Sequence, residues 1–197
     1  MSLTKEQFIT EFKDIALKLY AAPLDDLSTQ QLYQALALLT RSYIGQPWAE
    51  TKKRYDQEET KQVFYFSIEF LPGRLLQSNL LNLGILSEVE AGLNELGLRP
   101  QKIFDAEADP GLGNGGLGRL ASAFMDAMAS VGMAGNGNGI RYQYGLFKQA
   151  FVNGYQVELP DDWMRNGFAW ETRKENRAVT VKFGGWVELR ASRSGNL

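Results

Sequence analysis

Gly111-Leu112-Gly113-Asn114-Gly115-Gly116-Leu117-Gly118-Arg119 sets five glycines within eight residues, directly ahead of a helical pattern. Backbone without Cβ atoms lets a ligand approach closely. Leu117, Leu120, Ala121, Phe124 and Met128 then recur at three- and four-residue steps, and Gly132 is placed to stop the helix. A glycine loop feeding a helix N-terminus presents unpaired N–H groups and the positive end of the helix dipole, which suits phosphate or another anion. Arg119, in the first turn, is positioned to add a bidentate donor. Two other readings compete. One is a tight turn that needs glycine for positive φ. The other is a dinucleotide fingerprint, since Gly111, Gly113 and Gly116 satisfy G-x-G-x-x-G. That motif follows a buried strand and is answered by an acid about 20 residues on. Here Asp105-Ala106-Glu107-Ala108-Asp109-Pro110 precedes it, and no carboxylate lies between Val131 and Gly145.

Composition narrows the chemistry. The chain has 197 residues, 44% of them apolar, enough for a sizeable core, and a net charge of −2 that gives no sign of nucleic acid or anionic membrane. It has no cysteine and no histidine. Disulfides, thiolate chemistry and the usual general base and zinc ligand are therefore excluded, leaving carboxylates, lysines, tyrosines or a bound cofactor. No metal site is expected. No signal peptide or membrane-length apolar run is legible, so a cytoplasmic protein is the expectation.

In chain order, Phe8, Phe12, Ile15 and Leu19 form a helical stripe ended by Pro23. Ser28 and Gln31 make a capping box for a second helix, which runs through Leu36, Leu39 and Tyr43 to Gly45, with Pro47 as a stop. Residues 48–62 read as a solvated helix and loop. Val63-Phe64-Tyr65-Phe66-Ser67-Ile68 is a continuous apolar run of strand length, expected to be covered on both faces, with Glu69 at its carboxyl end. That is where open α/β sheets place ligands. Helices are expected over Leu75 to Gly84 and Ile85 to Leu98, the latter closed by Gly97 and Pro100. Gly135-Asn136-Gly137-Asn138-Gly139 is either a turn or a strand whose small residues let another group come close. Asn153-Gly154 sits between alternating segments as a two-residue hairpin turn. A second hairpin is expected over Val179 to Leu189, around Gly184-Gly185, and the tail Ser194-Gly195-Asn196-Leu197 reads as an unfinished β segment. Asp161-Asp162 offers a metal or acid/base pair, but lacks a third ligand and favours a solvated turn.

Four ordered blocks carry a family resemblance. They are Ser67-Ile68-Glu69-Phe70-Leu71-Pro72-Gly73-Arg74, the stretch from Asp109 through the glycine loop to Ala121, Gly139-Ile140-Arg141-Tyr142-Gln143-Tyr144-Gly145-Leu146-Phe147, and Asp161-Asp162-Trp163-Met164-Arg165-Asn166-Gly167. Together the chain resembles the α-glucan phosphorylases. The resemblance implies an α/β fold, the Rossmann-like N-terminal lobe of a two-lobed glycosyltransferase-B-type architecture, with leading helices over residues 1–62 and part of the catalytic lobe over 63–197. It implies cleavage of α-1,4-glucan by inorganic phosphate to give glucose 1-phosphate, with pyridoxal phosphate as cofactor, in a homodimeric parent of bacterial type. Carried over by position, Glu69, Asn114, Gly115, Gly116 and Leu117 face substrate, while Gly115, Gly116 and Arg119 lie on the cofactor side.

Family members are several times longer, and their cofactor-bearing lysine lies in a second lobe. The expectation is therefore an N-terminal portion that is inactive alone and holds no cofactor; with the strand over Val63 to Ile68 read as buried and the last β segment cut, it is expected to self-associate or to be a loosened monomer. Two alternatives are a carbohydrate-binding module, using exposed Trp163, Trp170 and Trp186, and a lobe of a nucleotide-sugar glycosyltransferase.

Overall fold

A computed structural model describes residues 3–188 of the chain. The architecture is mixed α/β: a helical core at the N-terminal side, then one parallel and one antiparallel pair of strands.

Helix α1 (Lys5–Tyr20) is closed at its start by a capping box between Thr4 and Gln7. Its inward face buries Phe8, Phe12 and Ala16, and the two rings stack with centroids 5.4 Å apart. Full burial of each such ring stabilises the fold by about 1.5–3 kcal/mol. Helix α2 (Thr29–Gln57) starts at the expected capping box, in which Ser28 and Gln31 cap one another reciprocally. Its end is not where the sequence placed it. Gly45 and Pro47 do not stop α2, which continues ten residues past Pro47. A proline removes only one N–H donor, at a cost of about 3 kcal/mol. The residues beyond it are good helix formers, and they add a Gln46–Glu50 hydrogen bond of 2.9 Å and Lys52 over the Trp48 ring. Burial on α2 is confined to Leu32 through Thr40, so its second half is solvated, as its composition suggested.

Helices α3 (Leu76–Asn82), α4 (Leu86–Glu95) and α5 (Pro100–Asp105) complete the core, to which Leu76, Leu80, Leu93 and Ile103 contribute fully buried side chains. Pro100 begins α5 rather than closing α4: at the first helical position its missing N–H costs nothing. Gly92 lets α4 lie against α1, since a Cβ there would stand 2.4 Å from the Phe8 ring.

Strand β1 (Val63–Phe66) pairs in parallel with β2 (Gly135–Asn138), from Val63 opposite Gly135 to Phe66 opposite Asn138. Helix α6 (Gly116–Ser130) lies in the crossover between them. The strand reading of the Gly-Asn stretch is the one that holds, and its glycines accept Met128, Met125 and Phe70 at close range. β1 is not covered on both faces as expected. Tyr65 packs on Phe70 and Phe124, but Phe64 and Phe66 on the other face are 58% and 77% exposed. Among the described residues this two-stranded ribbon has one helix, α6, packed against it, and an apolar run does not reveal how many layers will cover it. For the same reason Leu117, Leu120 and Phe124 on α6 stay half exposed, and only Ala121 of the expected stripe is fully buried.

Strands β3 (Phe147–Val152) and β4 (Tyr155–Pro160) form the expected antiparallel hairpin, with Asn153 and Gly154 both at positive φ. The second hairpin does not form among the described residues. Val179, Val181, Phe183 and Trp186 are exposed in a segment without strands, although Gly185 takes a positive φ of 93°. Alternation becomes a strand only with a partner surface to cover it. Leu189 and the tail Ser194 to Leu197 lie outside the described residues.

Candidate functional site

The glycine loop is held by one short segment, Glu69-Phe70-Leu71, which follows β1. The Phe70 N–H donates to the Leu112 carbonyl and the Leu71 N–H to the Gly118 carbonyl, each at 3.0 Å. Between these two anchors the Glu69 carboxylate accepts from the Asn114 N–H at 3.2 Å and the Gly115 N–H at 3.5 Å. Arg119 is exposed, and its guanidinium donates to the Leu71 carbonyl at 3.4 Å. Glu69, Asn114, Gly115 and Arg119 are thus brought together by contact, with Gly116 and Leu117 exposed at the start of α6.

The five glycines divide by function. A Cβ on Gly111 would stand 2.5 Å from Gly145 Cα and from the Trp163 ring; one on Gly113, 2.9 Å from the Phe70 carbonyl; one on Gly118, 3.1 Å from Glu69 Cβ. These three are glycine because the chain packs against itself there. None of the five takes a positive φ, so the tight-turn reading is corrected. Gly115 and Gly116 meet nothing within 4 Å. Neither conformation nor internal packing demands glycine at 115 and 116, and both open outward.

The first helical bond of α6 runs from the Arg119 N–H to the Gly115 carbonyl at 2.9 Å. Helix geometry therefore leaves the N–H groups of residues 116–118 without intrahelical partners, at the positive end of the dipole. The site's chemistry is that of a donor cradle: backbone N–H groups and one guanidinium suited to an anion or a ring of hydroxyls. It has one carboxylate, Glu69, already accepting from the loop.

The remaining blocks brace this site. Arg141 makes a bidentate pair with Glu171, both contacts at 2.6 Å, and that hydrogen bond holds the Glu171 carboxyl below its usual range. Asp162 pairs with Arg165 at 3.1 Å, and the Asp161 carbonyl accepts the Gly145 N–H at 3.0 Å, so the two aspartates build a turn. Among the described residues no three His, Cys, Asp or Glu side chains come together as metal ligands. Trp163 is only 5% exposed and donates to the Tyr142 carbonyl, while Trp170 is half-buried; Trp186 alone of the three is open, at 80%.

Two features escaped the sequence reading. Glu107, in the acidic stretch before the loop, is 4% exposed, and its carboxylate accepts from the Leu75 and Leu76 N–H groups at 3.0 and 2.9 Å and from the Trp170 indole. It thereby caps α3 from about 30 residues away, a relation no local pattern signals. The second half of α2, read as merely solvated, forms one wall of a cavity of about 880 Å³ together with α6 and β2. There burial, then the charges of Lys174 and Arg177, hold the Lys52 ammonium below its ordinary pKa.

With fold and loop defined, comparison with known proteins assigns the class. The chain belongs to the carbohydrate phosphorylase family, whose model matches residues 93–197. It is 44% identical to glycogen phosphorylase of Bacillus subtilis (strain 168) over 197 residues, all of this chain and 25% of that protein. Identity to the brain form of glycogen phosphorylase from Bos taurus is 44% over 156 residues, 79% of this chain and 18% of that one. For glycogen phosphorylase of Pasteurella multocida (strain Pm70) it is 41% over 164 residues, 83% and 20% of the two chains. The resemblance carried by the four sequence blocks is borne out. The chain spans at most a quarter of the length of these relatives. No helix among the described residues is long and apolar enough to cross a membrane.

Proposed function

We propose that this chain supplies the glycine-loop wall of an α-glucan phosphorylase active site, within the N-terminal lobe of a two-lobed glycosyltransferase-B-type fold. The reaction is cleavage of a terminal α-1,4 glucosyl bond by inorganic phosphate, releasing glucose 1-phosphate. The observation that carries this reading is the pair Gly115 and Gly116, open to the outside and with nothing among the described residues that demands glycine there. Beside them stand the free N-terminal N–H groups of α6 and the exposed Arg119.

In this reading Asn114, Gly115, Gly116 and Leu117 face the glucosyl unit and substrate phosphate, and Glu69 lies at the sugar end. The N–H groups at the start of α6, beyond the two taken by Glu69, stabilise negative charge that develops on phosphate oxygens, at fixed positions and without reorganisation. Pyridoxal phosphate is the cofactor implied by the family. The α6 N-terminus and Arg119 fit its phosphate group, whereas the loop's neighbours Glu69, Phe70, Leu71 and Trp163 include no amine to hold its ring. When bound, the cofactor supplies a phosphate able to exchange a proton with inorganic phosphate. With no histidine and no amine at the loop, the 197-residue chain is inactive by itself in this reading.

The test is phosphate-dependent release of glucose 1-phosphate from a linear α-1,4-glucan, by the chain and by the full reading frame that contains it. Release by the full frame and none by the chain supports the proposal. Hydrolysis to free sugar, or transfer from a nucleotide sugar instead, overturns it.

A further inference from the structure

A loop with five glycines is ordinarily the most adaptable part of a chain. Here it is fixed at three points by one tripeptide. Phe70 and Leu71 hold its two ends through their own N–H groups, bonded to Leu112 and Gly118, and the Glu69 side chain reaches the middle. Glu69 is itself set in place, because its N–H donates to Ser67 Oγ at 3.2 Å and its Cβ lies 3.1 Å from where Cβ atoms on Gly113 and Gly118 would stand. A Cβ at 118 would also stand 3.2 Å from the Glu69 carboxylate itself, so glycine there keeps the approach uncrowded.

We infer that Glu69 is a positioning residue: its carboxylate, bonded to the Asn114 and Gly115 N–H groups, splints the glycine loop so that the Gly115–Gly116 face is preformed before any ligand arrives. The carboxylate acts as an internal anion on two donors that would otherwise be solvated, and a charge-assisted acceptor holds N–H groups more firmly than a neutral one. The loop's glycines then serve close packing and close approach rather than motion. A ligand meeting this face spends little of its binding free energy on ordering the loop. The consequence for catalysis rests on the phosphorylase reading; the splint itself does not.

The test uses the 197-residue chain labelled with 15N, so it needs no activity. In the wild-type chain the Asn114 and Gly115 amides should be protected from hydrogen exchange relative to the hairpin-turn amides of Asn153 and Gly154. Glu69→Gln keeps the volume and one acceptor oxygen but loses the charge. It should lower protection at Asn114 and Gly115 about tenfold or more and shift both amide resonances, with the Phe70 and Leu71 amides nearly unchanged. Glu69→Ala should lower protection further, so the ordering of the three forms reports the carboxylate rather than packing. Wild-type Asn114 and Gly115 amides exchanging as fast as the Asn153 and Gly154 turn would overturn the inference, as would a Gln variant with unaltered shifts and protection. Loss of the splint alongside phosphorolysis by the full frame would reject this inference alone. Loss of phosphorolysis with an intact splint would reject the functional reading alone.

Discussion

The Glu107 carboxylate accepts the indole N–H of Trp170 at 2.7 Å, joining residues 63 positions apart while also capping α3 through Leu75 and Leu76. One buried side chain thus ties three segments together: the end of α5, the start of α3 and the block after β4. Glu107→Gln removes the charge and turns a donor toward N–H groups, so it should destabilise the chain by about 2–3 kcal/mol. Glu107→Ala leaves three donors unpaired and should cost more. Urea unfolding followed by tryptophan fluorescence measures both, and a Gln variant within 0.5 kcal/mol of wild type, roughly the noise of a surface substitution, would contradict the role.

Tyr33 lies beside this carboxylate. Burial first, then the negative charge of Glu107, push its phenol above the ordinary tyrosine value. Burial and the Glu11 carboxylate do the same for Tyr43. A folded-state pKa above the unfolded one contributes stability that is complete below the unfolded value, about 10, and lost as pH rises beyond it. The unfolding free energy should therefore fall above about pH 10. Tyr33→Phe should flatten that fall, leaving the parts due to Tyr43, to Tyr20, which burial also raises, and to Lys5, which the Glu95 hydrogen bond raises. An unchanged slope in the Phe variant would be the contrary result.

Two glycines of opposite character give a paired test. At Gly92 an added Cβ meets Phe8 at 2.4 and 2.8 Å. Overpacking costs about 1–3 kcal/mol, and the gain in helix propensity returns at most ~1. Gly92→Ala should accordingly lower the melting temperature. At Gly116 nothing stands within 4 Å and φ is ordinary, so Gly116→Ala should be neutral or stabilising by up to ~1 kcal/mol. If that face receives substrate phosphate, Gly116→Val in the full reading frame should still lose turnover sharply while remaining folded. Near-normal turnover of the folded variant would reject the role.

The outer face of β1 should make the chain self-associate. Phe64 and Phe66 stand exposed on a strand whose other edge is unpaired among the described residues, close in sequence to exposed Ile68. Light scattering should show mass rising with concentration, and Phe66→Lys should reduce it. A wild-type chain that stays monomeric at high concentration would show this face to be harmless.

Much of the fold was legible because its signals are local. The Ser28–Gln31 capping box, the Asn153-Gly154 turn and the stop at Gly132 each depend on residues a few positions apart. Pro47 misled because its penalty is one hydrogen bond, which a run of good helix formers outweighs. The alternation over 179–188 was misread as strands because alternation alone does not make one; it needs a surface that covers one face. In the site, the loop's opening toward a ligand was legible in its glycines, but their division was not. That division depends on Trp163, Phe70 and Glu69, each brought in from more than 40 positions along the chain. Glu107 was hidden for the same reason: its backbone donors lie 32 and 31 residues upstream and its indole donor 63 residues downstream.

The parallel pairing of β1 with β2 also bears on synthesis. Roughly 70 residues separate Phe66 from its partner strand, and a ribosome adding ~5–20 residues per second needs on the order of 4–14 s to make them. Throughout that interval the most aromatic strand of the chain has emerged, or is emerging, with nothing to pair with. The helical core of α1 to α5 can largely close in the meantime, because its buried members other than Ala169 lie upstream of the loop. Nascent β1 is thus left open to a chaperone while its partner strand is still being made, and slower translation across α6 would lengthen the exposure rather than relieve it.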